Sequence, residues 1–130
     1  MTKTIDDVVL DSALNQIRTT ADKLVVCIGA PVSYAEANAN SPTGKRCGQR
    51  AITSANFTGP VNGDVSGRKL TVNQQTGIAV DVSGTADHVA LVDDGAGVLL
   101  AVTSLAAAQA VTAGNTMTVN AFDLEIADPS

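Results

Sequence analysis

Residues 87–105 read DHVALVDDGAGVLLAVTSL, residues 106–115 AAAQAVTAGN and residues 116–126 TMTVNAFDLEI. Val89 and Leu91, then Val98, Leu100 and Val102, recur at every second position, the period of a half-buried strand. Between the two runs, Asp93-Asp94-Gly95-Ala96-Gly97 supplies the polar, flexible residues of a reversal, so the stretch predicts a β-hairpin. The last run changes phase. Met117, Val119 and Ala121 hold one parity and Phe122, Leu124 and Ile126 the other, and one extra residue near Asn120 to Phe122, a β-bulge, would reconcile them. Ala106 to Ala110 reads either as a helical turn or as the start of a small-residue strand.

Upstream of the hairpin, Leu70 and Val72 alternate, Gln74 to Gly77 has turn chemistry, and Ile78, Val80 and Val82 alternate before Ser83-Gly84 closes the run. Arg46 to Phe57 has moderate strand character, and Thr58 to Gly67 holds two glycine-centred reversals. Lys23 to Gly29 is short, β-branched and closed by Gly29-Ala30-Pro31, as a strand buried on both faces would be. Val32 to Gly44, rich in Ala, Asn, Ser and Pro, reads as a long loop with one helical turn at Tyr34 to Asn38. The one convincing helix is Asp6 to Asp22, where Leu10, Ala13, Leu14, Ile17 and Ala21 share a face, Thr4 with Asp7 marks the start, and Asp11, Asn15 and Thr19 form the polar side. The chain is therefore expected to be a single domain over 1–130, mainly β, an antiparallel β-sandwich or flattened barrel with one N-terminal α-helix.

The apolar residues are Ala, Val, Leu and Ile, with no Trp, two Phe and one Tyr. Such a core is thin, and burial between subunits would add to it, so a homo-oligomer is expected, with a trimer as the working guess. A net charge of −5 argues against nucleic acid as a partner, and the basic residues Lys45, Arg46 and Arg50, then Arg68 and Lys69, make two short patches rather than a groove. No apolar run approaches the roughly 20 residues of a membrane span. The opening MTKTIDDVVL has acidic residues where a signal peptide has its apolar core, so synthesis in the cytoplasm is expected.

Candidate chemistry is sparse. His88 is the sole histidine, beside Asp87, but neighbours on a strand point to opposite faces, and no nucleophile pattern accompanies the pair. Asp93 and Asp94 could offer oxygen ligands to Ca²⁺, yet the turn lacks the spaced donors of a calcium loop. Arg68, after the Asp64-Val65-Ser66-Gly67 turn, is suited to pair with a carboxylate in loop or subunit docking. One His and two separated Cys do not make a zinc site, and the glycines never open a helix as in nucleotide loops. No cofactor and no catalytic residue is expected. Cys27 reads as a small core residue and Cys47, within KRCGQR, as exposed or at a strand edge; a Cys27–Cys47 disulfide would be compatible with maturation outside the cell.

The order of VVLDSALNQI, KLVVCIGAPVSYAEA, GDVSGRKLTV, TADHVALVDDGAGVLLAVTSL and GNTMTVNAFDLEIADPS resembles small bacteriophage virion proteins over nearly the full length. That resemblance implies a structural role in the virion, with capsid or neck subunits as partners, and brings no catalytic residues. A decoration protein would dock through its helix and loops, with Tyr34, Glu36, Lys45 and Arg46 as candidate docking residues. A receptor- or carbohydrate-binding module is the alternative, but sugar sites use exposed aromatic platforms and only Tyr34, Phe57 and Phe122 are on offer.

Overall fold

A computed structural model describes residues 4–129. The amphipathic segment forms helix α1, Asp7–Thr20, and turns Leu10 and Leu14 into the core while Ala13, expected on the same face, stays exposed. Its N-cap is Asp6, whose carboxylate accepts the Val8 N–H at 2.9 Å, so Asp6 replaces Thr4 as the start signal. The helix lies on the protein's own sheets, against β3 (Phe57–Asn62), β4 (Arg68–Val72) and β6 (Gly84–Asp93).

The fold is mainly β, with antiparallel sheets forming a curled half-barrel and a small second sheet. The larger sheet also contains β1 (Lys23–Cys27), β2 (Arg46–Ala51), β5 (Gln75–Val80), β7 (Val98–Val111) and β8 (Thr116–Val119), in the order β7-β6-β1-β2-β5-β8. The smaller sheet is β3-β4-β9, with β9 spanning Phe122–Ile126. Strand β1 is central and buried on both faces, as its β-branched run predicts. Leu24 and Val26 enter the main core with Leu14, Leu70, Ile78 and Leu91, while Val25 and Cys27 join Ala90 and Val92 in a second cluster. A short helix α2, Tyr34–Asn38, covers that second cluster with Ala37 and Tyr34.

Several departures from the expected pattern have local causes. The phase change at Asn120-Ala121 is a change of sheet: β8 pairs with β5, β9 pairs with β4, and both send their apolar parity into the main core. The hairpin β6–β7 is present, but its alternation breaks at Leu100. Leu91 and Val92 oppose Ala101 and Leu99, so Leu100 is extra, and Leu100 and Ala101 both pack on the inner core while Val102 packs on the outer cluster. Ala106 to Ala110 lies within β7, where a wide bulge sets Ser104 to Gln109 opposite His88 to Ala86. Thr58 to Asn62 is strand rather than turn, and only Gly63 to Gly67 reverses the chain, closed by Gly63 N–H donating to the Gly67 carbonyl at 2.9 Å. Gly77 sits inside β5 at φ 65°, where the β5–β8 register shifts, so the glycine serves an irregularity in the strand rather than a turn.

Candidate functional site

The segment expected to be a docking loop is tied into the body of the protein. The Tyr34 hydroxyl donates to Asp94, and Lys23 Nζ reaches the other oxygen of that carboxylate at 3.2 Å. These two partners hold the Asp94 carboxyl below its ordinary value and raise the Tyr34 phenol. Asp22 accepts the Asp94 N–H at 2.7 Å, so the acidic hairpin turn is anchored to the end of the helix connection rather than arranged around an ion. Among the described residues no three His, Cys, Asp or Glu side chains converge as a metal set. Glu36 accepts the Val32 N–H at 2.9 Å, and Arg46 donates to Asn40 at 3.0 Å and Gln49 at 3.0 Å. Lys45 is half-buried beside Gly29. Glu36 and Arg46 thus brace 32–46 from within, and Tyr34 ties it to the β6–β7 turn.

Three further cations are also engaged. Arg50 donates to the Thr76 carbonyl, Lys69 pairs with Asp64 at 2.6 Å and Asp123 at 3.5 Å, and Arg68 forks onto Asp11. Arg68 therefore pairs with a carboxylate inside the same chain, joining the second sheet to α1.

Asp87 and His88 do touch, contrary to the strand-parity argument. His88 Nδ1 lies 2.8 Å from Asp87 Oδ1, and the register break between Ala86 and His88 is what turns the two side chains together. Asp87 also accepts the Gly29 N–H at 2.7 Å, and the two donors hold its carboxyl below the usual range, His88 contributing most. Cys27 is the register partner of His88 on β1, so a thiol, an imidazole and a carboxylate occupy neighbouring positions. The thiol is fully buried, and burial pushes it up to about 12, which removes the thiolate that nucleophilic chemistry requires. The Asp87–His88 pair secures the Gly29 loop against β6.

Cys47 is fully buried rather than exposed, in the main core, and its thiol is pushed up to about 11 by burial. Both cysteines are free. Cys27 belongs to the cluster under α2 and Cys47 to the core on the other face of the sheet, so the suggested Cys27–Cys47 bridge is not formed, because the sheet stands between them.

A surface feature that motif reading missed is the open seam of the half-barrel. Strands β7 and β8 end the large sheet, and a cavity of about 170 Å³ lies between them, walled by Ser104, Leu105 and Gln109 on one side and Val119, Asn120 and Phe122 on the other. Gln109 Nε2 donates across it to the Thr118 carbonyl at 3.3 Å. The signal was present in the sequence: from Gly95 to Phe122 no residue carries a charge, and this run builds both margins of the seam. The margins can offer backbone hydrogen bonds and small apolar contacts, the chemistry of protein-to-protein packing. No protein-family model matches the chain, and neither the characterised proteins nor the solved structures provide a match.

Proposed function

We propose that the protein is a structural component of a bacteriophage virion, made in the host cytoplasm, that decorates the capsid or neck and reinforces joints between shell subunits. The observation that carries this reading is the uncharged run Gly95–Phe122, drawn out along the margins of a curled half-barrel. In a chain of net charge −5, so long an uncharged margin suits contact with other protein. The sequence resemblance supports the same role.

The alternative, a receptor- or carbohydrate-binding module, would draw on aromatic platforms. Tyr34 is half-buried against Asp94, Phe57 is 7% exposed and Phe122 packs on the core, which leaves that reading without a stacking surface among the described residues. Particles assembled without the protein are expected to form but to lose resistance to heat or osmotic shock. Particles that stay equally robust yet fail to adsorb to cells would replace the decorating role with the receptor one.

A further inference from the structure

Residues 29–44 leave the large sheet after β1 and return to it at β2 through a closed base, where the Ile28 N–H donates to the Lys45 carbonyl at 2.8 Å and the Lys45 side chain lies against Gly29. A loop whose ends meet and whose middle bonds to itself is a separable unit of structure. Here the Ala37 N–H donates to the Ser33 carbonyl, Gly44 to Asn40, Lys45 to Glu36 and Arg46 to Ala39, and the Val32 N–H reaches the Glu36 carboxylate. Among the described residues, one hydrogen bond joins the span 30–44 to anything outside 29–46, the Tyr34 hydroxyl on Asp94. The apolar grip is equally slight. Tyr34 and Ala37 are the loop side chains that pack on the outer cluster of Val25, Cys27, Ala90 and Val92, while Val32 stays 83% exposed. The receiving carboxylate is fixed, because Lys23 holds it at 3.2 Å and Asp22 accepts the Asp94 N–H, both at the entrance to β1.

We infer that residues 30–44 form a latched lid, which swings from its base when Tyr34 leaves Asp94 and bares the apolar floor around Cys27 while both sheets and the main core stay intact. The hinge lies at Gly29-Ala30-Pro31, where Gly29 has φ 86° and adopts without strain a backbone that other residues resist. Two thiols report on the motion from different depths. Cys27 sits in the cluster beneath the lid, and Cys47 sits in the main core on the other face of the sheet. In the closed form Cys27 is the less reactive of the two, since burial pushes its thiol up to about 12 against about 11 for Cys47. Opening of the lid reverses that order, because it frees Cys27 and leaves Cys47 enclosed. The device is independent of the virion role.

Pulsed alkylation of the wild type with a maleimide at about pH 8 without denaturant, read by mass spectrometry of the peptide holding each thiol, is expected to label Cys27 about ten-fold or more faster than Cys47. Low urea should leave the Cys27 rate nearly flat and raise that of Cys47, because only the second thiol needs the whole fold to open. Tyr34→Phe removes the latch hydroxyl alone and is expected to speed Cys27 several-fold with Cys47 unchanged. Val65→Ala, on an exposed turn residue, is expected to change neither rate. Equal rates for the two thiols, Cys47 leading, a shared urea dependence, or a Tyr34→Phe change that speeds both alike or neither overturns the inference. If Tyr34→Phe does not fold, hydrogen exchange of the wild type decides: Ala37 and Gly44 amides opening together, ahead of Val25 and Val26, supports the lid, and opening in step with β1 overturns it.

Discussion

The guanidinium of Arg68 on β4 grips the Asp11 carboxylate of α1 with two parallel bonds, Nε to Oδ1 at 2.7 Å and Nη2 to Oδ2 at 3.2 Å. The same side chain donates to Asn62 and to the Pro60 carbonyl, so one residue joins the helix, β3 and β4. A planar fork is suited to this role because both bonds form without further ordering of the head group.

Arg68→Ala is expected to lower the thermal midpoint by a few degrees, and Arg68→Lys to recover only part of the loss. A double-mutant cycle with Asp11→Asn, read by urea unfolding, should give a favourable coupling between the two positions. Additive single changes would deny the fork a stabilising role.

Acid should weaken the fold through Asp94 and Asp87. Both carboxyls sit below their ordinary value of 3.8 in the folded protein, Asp94 chiefly through Tyr34 and then Lys23, Asp87 chiefly through His88 and then the Gly29 N–H. A depressed folded value means that the stability is complete above the unfolded value and is lost as pH falls through the folded one. Urea midpoints are therefore expected to be flat between about pH 5 and 7 and to fall below about pH 4. Asp94→Asn should lower stability at pH 7 and show a shallower acid decline. An acid limb identical to wild type would remove Asp94 from the account.

The two thiols should be slow to react in the folded protein. With Cys27 at about 12 and Cys47 at about 11 against an ordinary 9.0, the thiolate fraction at pH 8 falls by roughly 100- to 1000-fold. Alkylation at pH 8 is expected to be slow in buffer and fast in urea. Raised folded values also mean that stability is intact below pH 9 and declines as pH rises beyond it. Rapid labelling of the native chain would contradict their burial.

Leu14, 1% exposed where α1 meets both sheets, is a position at which truncation leaves a cavity. Leu14→Ala is expected to cost about 2–5 kcal/mol in chemical denaturation. Val65→Ala, at a 96% exposed turn tip, should stay within about 0.5 kcal/mol of wild type.

Gly67 and Gly95 form a matched pair of turn glycines. Gly67 has φ 69°, and a methyl there would collide with the Ile126 carbonyl, whereas at Gly95 the nearest atom to a new methyl is Asp93 Oδ1 at 3.6 Å. Gly67→Ala is expected to destabilise by more than about 1 kcal/mol and Gly95→Ala by less than about 0.5 kcal/mol, both measured by urea unfolding.

The α1 face, the doubly buried β1 and the β6–β7 reversal were legible because each is written in local periodicity. What local period cannot express is a change of neighbour. The same phase shift at Asn120-Ala121 fits a bulge within one strand or a crossing between sheets, and only the pairing of β9 with β4 decides. Contact between Asp87 and His88 likewise depends on a register break set by β7, a strand that begins ten residues later in the chain. The burial of Cys47 is not legible locally, because its polar neighbours mask the inward turn that the β1–β2 irregularity gives it. For the seam, the informative property was the run without charge from Gly95 to Phe122, which a search for reactive residue types passes over.

The crossing at Asn120-Ala121 also orders events during synthesis. Strand β4 has β3, its neighbour in sequence, on one side, but its other side is filled only by β9, which is synthesised after every other strand among the described residues. Until then the apolar residues of β4 and the inner face of α1 lack Phe122, Leu124 and Ile126, which pack on the same core. A nascent chain stalled before Phe122 would thus present an incomplete surface to chaperones and proteases, and only the arrival of β9 withdraws it.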